Sequence, residues 1–158
     1  MLEKTNSGIA PQEIINAIIT LYHKKKYKDV LYPCLQLIEE YPKTYSLYNI
    51  IGAIFFESRD LELASKFFRK VIDLRPNHSH GYNNLGATLI DLEKYQEALR
   101  VFHQAIELDP NYAEAYNNIG NVYHKLKKYS MAIKNYKRAI MLNPNYYEAF
   151  NNLGIALG

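Results

Sequence analysis

Asparagines are the polar residues whose spacing in this sequence most suggests a binding surface. An amide side chain offers two N–H donors and one carbonyl acceptor, so a single Asn can bond both the C=O and the N–H of an extended peptide. A row of such amides would hold a peptide backbone independently of its sequence. Two series recur every 34 residues, one at Asn49, Asn83, Asn117 and Asn151, and one at Asn16, Asn84, Asn118 and Asn152, interrupted by Ile50.

These asparagines have a second interpretation as structural residues. Asn is unfavourable inside a helix because its side chain competes for backbone hydrogen bonds, so its regular recurrence needs a cause. Each hydrogen bond between an Asn side chain and a peptide would contribute about 0.5–1.5 kcal/mol net, so four such asparagines would give weak binding. Amides that bond neighbouring backbone or side chains would explain the same pattern. Both interpretations, a peptide ladder and structural amides, remain open at this point.

Residues for catalysis or metal binding are sparse. Neither GxGxxG nor GxxxxGK[ST] occurs, so no phosphate-binding loop is expected. Among the five histidines only His78 and His80 lie close together, whereas a metal site needs three or four ligands. The single cysteine, Cys34, is predicted to be a buried structural thiol, because reactive thiols need an exposed, electropositive setting. We expect no catalytic residue, no metal and no cofactor.

Composition limits the partner classes. The 158 residues carry a net charge of +3, too mild for the strongly basic face of most nucleic-acid binders. No apolar run is long enough for a signal peptide or a membrane span, so membrane insertion is not expected and the cytoplasm is the default location. The main charge cluster, Lys24, Lys25, Lys26 and Lys28, is interpreted as a solvated turn or a contact with an anionic surface.

The elements that position these residues follow from the same period. Four series share the 34-residue step: Pro42, Pro76, Pro110 and Pro144; Gly52, Gly86, Gly120 and Gly154; Ala64, Ala98 and Ala132; and Phe68, Phe102 and Tyr136. Apolar residues recur three and four apart between the prolines, which predicts helices that end before each proline. The predicted helices cover residues 12–24, 28–41, 45–57, 61–74, 79–91, 95–108, 113–125, 129–142 and 147–157.

A helical pair of 34 residues resembles the tetratricopeptide repeat (TPR). The large aromatic of that motif falls on Tyr48, Tyr82, Tyr116 and Phe150, and its Leu-Gly pair falls on Ile51-Gly52, Leu85-Gly86, Ile119-Gly120 and Leu153-Gly154. The resemblance covers residues 11–158 and implies an all-α, right-handed TPR superhelix (an α-solenoid) of four repeats plus one extra helix. The expected divisions are an N-terminal tail at 1–10, a degenerate repeat at 11–44, repeats at 45–78, 79–112 and 113–146, and the first helix of a fifth repeat or a cap at 147–158.

The resemblance also implies where a ligand lies, because first helices of TPR pairs line a concave groove. We therefore expect a protein-interaction scaffold, not an enzyme, that binds an extended peptide or protein segment there. Tyr112, Tyr146 and Tyr147 could rim this groove. The arrangement is similar to the asparagine ladder of the TPR domain of O-linked N-acetylglucosamine transferase. The groove residues implied are Asn16, Asn49, Asn83, Asn84, Asn117, Asn118, Asn121, Asn151 and Asn152.

Three further expectations concern partners. The basic positions of the family's carboxylate clamp fall on Ile15, His80 and Asn84, so binding of chaperone tails is not expected. The apolar helix at 147–157 suggests that the chain is a piece of a longer protein, such as the N-terminal substrate-recognition domain of a glycosyltransferase. The same helix could instead drive homo-oligomerisation in a self-assembling scaffold.

Overall fold

A computed structural model of the chain describes residues 8–158, and these form nine α-helices and no strand. The all-α prediction is therefore confirmed, and the chain is a solenoid of helical repeats. Seven of the nine helices have the predicted ends, and the first two differ by one residue. The helices are α1 (Gln12–His23), α2 (Tyr27–Glu40), α3 (Tyr45–Glu57), α4 (Leu61–Leu74), α5 (Ser79–Asp91), α6 (Tyr95–Leu108), α7 (Ala113–Lys125), α8 (Tyr129–Leu142) and α9 (Tyr147–Leu157).

The helices are grouped in two compact units, which meet between Pro76 and Asn77 in the sequence. The first contains α1 to α4 and the second α5 to α9. In the first unit the core includes Ile15, Val30 and Ile51, together with Cys34, which is fully buried. The prediction that Cys34 is buried is confirmed, and burial raises the pKa of its thiol to about 11.

Part of the predicted N-terminal tail is held against the first unit. The backbone N–H of Ala10 donates to Oγ1 of Thr44 at 2.7 Å, and the N–H of Lys43 donates to the carbonyl of Gly8 at 2.9 Å. Thr44 is buried, so its hydroxyl satisfies a backbone donor away from water. The remainder of the predicted tail, residues 1–7, lies outside the described residues.

The turn inside each helix pair has one conformation throughout the chain. A non-glycine residue takes a left-handed φ in each, namely Lys25 at 56°, Arg59 at 65°, Glu93 at 59° and Lys127 at 58°. One left-handed residue ends a helix and reverses the chain, and polar side chains tolerate it best when solvated. The lysine run around Lys25 thus lies at a turn that recurs through the sequence. None of the helices in residues 8–158 has the length and apolar character needed to cross a bilayer.

Close packing within a pair explains why glycine recurs in the first helix. A Cβ built on Gly86 would lie 2.5 Å from the Phe102 ring, and one on Gly120 would lie 2.5 Å from the Tyr136 ring. Real Cβ atoms do not approach rings so closely, so only glycine lets the second helix pack there. The aromatic rings of Phe68, Phe102 and Tyr136 are themselves buried.

One predicted packing residue is exposed. Tyr129, at the start of α8, has the same repeat position as tyrosines that pack, but 47% of its surface is open to solvent. Its ring meets the His124 ring of α7 in a T-shaped contact, at a centroid distance of 5.3 Å. The motif position of Tyr129 would assign it to the core, and this assignment is wrong because the residue begins its helix and remains half open to solvent.

Candidate functional site

In the second unit, the first asparagine of the adjacent pairs in α5 and α7 is enclosed between helices. Asn83 is 1% exposed; its amide nitrogen donates to Oε1 of Glu114 at 2.8 Å, and its oxygen accepts from Nδ2 of Asn118 at 3.0 Å. Burial raises the pKa of the neighbouring Tyr112 phenol above its usual value, and a hydrogen bond from Asn83 opposes that shift. Asn83 therefore joins α5 to α7 from the interior.

The same arrangement recurs one repeat later. Asn117 is fully buried, donates to Oε1 of Glu148 at 3.2 Å and accepts from Nδ2 of Asn152 at 3.0 Å. Burial and the charge of Glu148 raise the pKa of Tyr146 to about 12. A ligand cannot reach amides enclosed in this way. The expectation that Asn83 and Asn117 line the groove is corrected, because both amides connect successive first helices instead.

The second asparagine of each pair lies at the surface edge of this network. Asn118 and Asn152 are half-buried. The Nδ2 of each donates a hydrogen bond to the carbonyl oxygen of an enclosed amide, that of Asn83 and of Asn117 respectively. Their carbonyl oxygens accept no hydrogen bond from any residue in the described range. No side-chain polar atom of residues 8–158 is both buried and without a partner, so these two oxygens are accessible to solvent.

Asn121 has the opposite orientation. Its carbonyl oxygen accepts from the Tyr136 hydroxyl at 2.9 Å and from Nδ2 of Asn152 at 3.1 Å. The amide nitrogen of Asn152 can only donate, so it fixes the Asn121 amide with its oxygen inward, and the Tyr136 hydroxyl donates to the same oxygen. Its NH2 group bonds no residue within 8–158 and is therefore turned to solvent. Burial, with a smaller effect of Glu148, raises the pKa of Tyr136 to about 12, which keeps its hydroxyl a donor.

A pocket of about 260 Å³ opens beside the Asn121 amide. The NH2 group of Asn121 and the ammonium of Lys125 supply donors, and Ile90 and Ile155 supply apolar surface. The site can therefore accept a carbonyl or carboxyl group next to an apolar side chain. We call the surface formed by Asn118, Asn121, Asn152 and this pocket the α5–α7–α9 face. The pocket is lined by Ile90, Asn121, His124, Lys125, Tyr136, Asn152 and Ile155.

The other predicted groove asparagines lie on α1, α3, α5 and α9. Asn16 is exposed and its oxygen accepts from Nε2 of Gln12 on the same helix at 3.0 Å. Asn151 is exposed on α9, and Asn49 and Asn84 are half-buried. Asn16 and Asn49 belong to the first unit, whereas the α5–α7–α9 face belongs to the second.

The histidine pair forms a ring stack. The His78 and His80 rings lie 5.4 Å apart, and His80 also contacts the Tyr112 ring at 4.8 Å. Within residues 8–158 no three metal-ligating side chains come together. Stacked imidazoles with an aromatic neighbour are a packing arrangement at the start of α5.

Sequence reasoning missed the partners that orient the asparagines. Tyr112 and Glu114 recur one period later as Tyr146 and Glu148, and this repetition was available as a signal. One period earlier the same positions are His78 and His80, so the combination of Tyr and Glu is limited to the last two repeats. A search for co-repeating acids and amides would have identified the network.

Comparison with known proteins agrees with the helical-repeat fold. Four family models match, three described as tetratricopeptide repeat at residues 45–78, 67–100 and 113–146, and one as TPR repeat at 88–127. Together these matches cover residues 45–146. The chain belongs to the tetratricopeptide-repeat family. None of the four matched models is a catalytic family, and a search of curated protein sequences finds no match.

Solved structures share the fold at low sequence identity. Pseudomonas aeruginosa PilF aligns at a TM-score of 0.84 with 18% identity, over 98% of this chain and 69% of that one. YrrB, described as a TPR protein with an unusual peptide-binding site, aligns at 0.73 with 21% identity, over 90% and 73%. The first TPR of Spaghetti (RPAP3), solved with the HSP90 peptide SRMEEVD, aligns at 0.68 with 26% identity, over 72% and 90%.

Proposed function

We propose that the chain is a protein-interaction scaffold that binds an extended peptide segment on its α5–α7–α9 face. The observation that carries this proposal is the orientation of the Asn121 amide. Tyr136 and Asn152 donate to its oxygen at 2.9 and 3.1 Å and Asn121 lines the pocket, so its NH2 group is left for a ligand there. A donor pair fixed before the ligand arrives loses little side-chain entropy on binding.

The remaining polar atoms of the face complement a peptide backbone. An extended peptide presents an N–H and a C=O at each residue, and unsatisfied groups must find partners when water is excluded. The oxygens of Asn118 and Asn152 accept, and the Asn121 nitrogen donates. The ladder hypothesis is thus retained for these outward atoms and withdrawn from Asn83 and Asn117, whose amides hold the helices together.

The family and its solved relatives support the class of ligand. The RPAP3 structure contains a peptide, and YrrB is described as having a peptide-binding site. The ligand of this chain would differ from a chaperone tail, because Ile15, His80 and Asn84 occupy the basic positions of the carboxylate clamp. The apolar part of the pocket, Ile90 and Ile155, favours instead a peptide that has an aliphatic side chain next to a backbone carbonyl.

The test replaces the NH2 donor of Asn121 with an acceptor and keeps the size of the side chain. A phage-displayed random peptide library is selected on the full chain, and the selected peptide is labelled and titrated by fluorescence anisotropy. Asn121→Asp keeps an oxygen for Tyr136 and Asn152 but replaces the outward NH2 with an acceptor. We expect at least tenfold weaker binding, since a lost bond of about 1.5 kcal/mol corresponds to that factor.

Two controls make the result decisive. Asn145→Asp introduces the same charge at an exposed position between α8 and α9, and should leave affinity unchanged. Lys125→Ala removes a second pocket donor without touching the network, so it tests the face even if the Asp variant melts early. Unchanged affinity in both pocket variants, with normal circular dichroism melts, would disprove binding at this face.

A further inference from the structure

A second pocket lies in the first unit, where the start of α2 meets the end of α3. Its volume is about 610 Å³, within the range of sites that enclose a ligand or a side-chain anchor. It shares no residue with the α5–α7–α9 face. We call it the lysine pocket, after its combination of exposed lysines and apolar side chains, namely Lys25, Lys26, Lys28, Leu31, Ile54 and Phe55.

The charge of this pocket is not a requirement of the turn that carries it. Residues 24–28 hold four lysines and no acid, although the same left-handed turn recurs in every pair. The equivalent residues 58–62 hold one arginine and two acids, residues 92–96 one lysine and one acid, and residues 126–130 two lysines. Because a solvated turn folds with any of these compositions, the excess of lysine in the first turn needs a separate cause.

The backbone holds the lysines in place before a ligand arrives. The N–H of Lys25 donates to the carbonyl of Tyr22 at 2.8 Å, and the N–H of Lys26 donates to the carbonyl of Leu21 at 3.2 Å. Asp29 is the single acid among the residues that line the pocket, against three lysines. A concave site with this balance of charge attracts anions, and carboxylates are the commonest anions on proteins.

The inner part of the pocket is apolar. Ile54 is 4% exposed, and the half-buried Leu31 and Phe55 pack against the core of the first unit. The hydroxyl of Ser58 donates to the carbonyl of Phe55 at 3.0 Å, so its hydrogen is already bonded within α3. A ligand group that enters here therefore leaves water for mostly apolar surroundings, which favours an aliphatic or aromatic side chain.

We propose that the lysine pocket binds an acidic peptide segment of a partner protein, with one apolar side chain inserted and the neighbouring carboxylates paired with the lysines. Such a segment matches both parts of the site. A flat bilayer surface does not fill a concave pocket. A nucleobase would bring polar edges into the apolar part, where they would lose their hydrogen bonds to water.

The probes are fluorescent heptapeptides with three glutamates on each side of a central leucine, phenylalanine or methionine. Each is titrated with the full chain by anisotropy at low ionic strength, and we expect saturable binding. In the tightest binder, glycine at the centre removes the apolar anchor, and glutamine in place of every glutamate removes the charge. Each change should weaken binding at least tenfold, because the pocket uses both parts of the ligand.

Two double variants distinguish the pocket from the charge of the protein as a whole. Lys25→Gln with Lys26→Gln removes two charges from the lysine pocket. Lys127→Gln with Lys128→Gln removes two charges from the same repeat positions in the turn between α7 and α8. We expect at least tenfold weaker binding in the first variant and less than twofold in the second, with unchanged circular dichroism melts in both.

Several outcomes would overturn the proposal. Absence of saturable binding for all three probes, or an equal loss of affinity in the two double variants, contradicts a specific site. A comparable loss in Lys125→Ala would assign the acidic probe to the α5–α7–α9 face instead. Vesicles of equal parts phosphatidylserine and phosphatidylcholine test the other anionic partner. Sedimentation with these vesicles that the Lys25 and Lys26 variant loses, without saturable peptide binding, would assign the lysines to a membrane surface.

Discussion

Asn118 donates an amide N–H to the carbonyl oxygen of Asn83, which lies 3.0 Å away and 35 residues earlier in the chain. Because the nitrogen of Asn83 is bonded to Glu114, the buried amide is satisfied at both ends. Asn152 and Asn117 repeat the relationship one period later. Side-chain amides thus connect the first helices of successive repeats, in addition to apolar packing. This connection explains why asparagine occurs at positions inside a helix, where it is otherwise unfavourable.

Removing the enclosed amide should destabilise the protein. Asn83→Ala leaves Asn118 and Glu114 without their buried partner, and we expect a loss of about 2 kcal/mol in the free energy of unfolding. The matched control is Asn151→Ala on α9, exposed and outside the network, which should change stability by less than about 0.5 kcal/mol. Urea unfolding followed by circular dichroism and tyrosine fluorescence measures both, since the chain has no tryptophan. Equal stability of the two variants would mean that the network contributes nothing.

The helices could be predicted almost completely from the sequence. Repeated prolines mark where the second helices end, and a period visible in several residue types fixes the register of every pair. The errors occur in α1 and α2, where the repeat is degenerate: Ile14 and Cys34 replace the usual aromatic residues, and Ala17 replaces the usual leucine. With fewer motif residues, the ends of these two helices were predicted one residue too late.

The orientation of the asparagines could not be predicted in the same way. Asn83 and Asn84 are adjacent, and one residue turns a helix by about 100°, so the two amides of a pair point in different directions. Which one is enclosed depends on where the next first helix packs, and this is a tertiary property. The outward NH2 of Asn121 depends further on the hydroxyl of Tyr136, 15 residues away on the next helix.

The glycine–ring contact predicts a compensating pair of substitutions. Gly86→Ala places a methyl group against the Phe102 ring, and overpacking of this kind costs about 1–3 kcal/mol, more than alanine gains by helix propensity. Phe102→Leu alone loses buried ring contacts. In the double variant the smaller Leu side chain makes room for the methyl group, so the two losses should be less than additive by about 1 kcal/mol.

Urea unfolding of the four proteins of this double-mutant cycle gives the coupling energy directly. Gly154→Ala is the control for helix propensity, because its methyl group meets no neighbour. Strict additivity of Gly86→Ala and Phe102→Leu would show that the close approach over Gly86 is relaxed elsewhere in the molecule.

The phenol of Tyr146 predicts a loss of stability at alkaline pH. Burial raises its pKa from 10.0 to about 12 in the folded protein, so the native state retains the proton longer than the unfolded chain does. The resulting stabilisation is complete below pH 10 and is lost as the pH rises towards about 12. Tyr146→Phe cannot ionise, so its stability should fall less steeply than that of the wild type across this interval. The measurement is urea unfolding at a series of pH values from neutral to alkaline.

Tyr147→Phe provides the matched control for this series. Tyr147 is the next residue and is 81% exposed, so its substitution measures the effect of removing a phenol that the fold does not enclose. The pH dependence of the Tyr147 variant should follow that of the wild type, while the Tyr146 variant diverges from both above pH 10. If all three proteins lose stability in parallel, the Tyr146 phenol is solvated in the native state. The packing of α9 beside the buried Asn117 would then be looser than the hydrogen bond between Asn117 and Glu148 indicates.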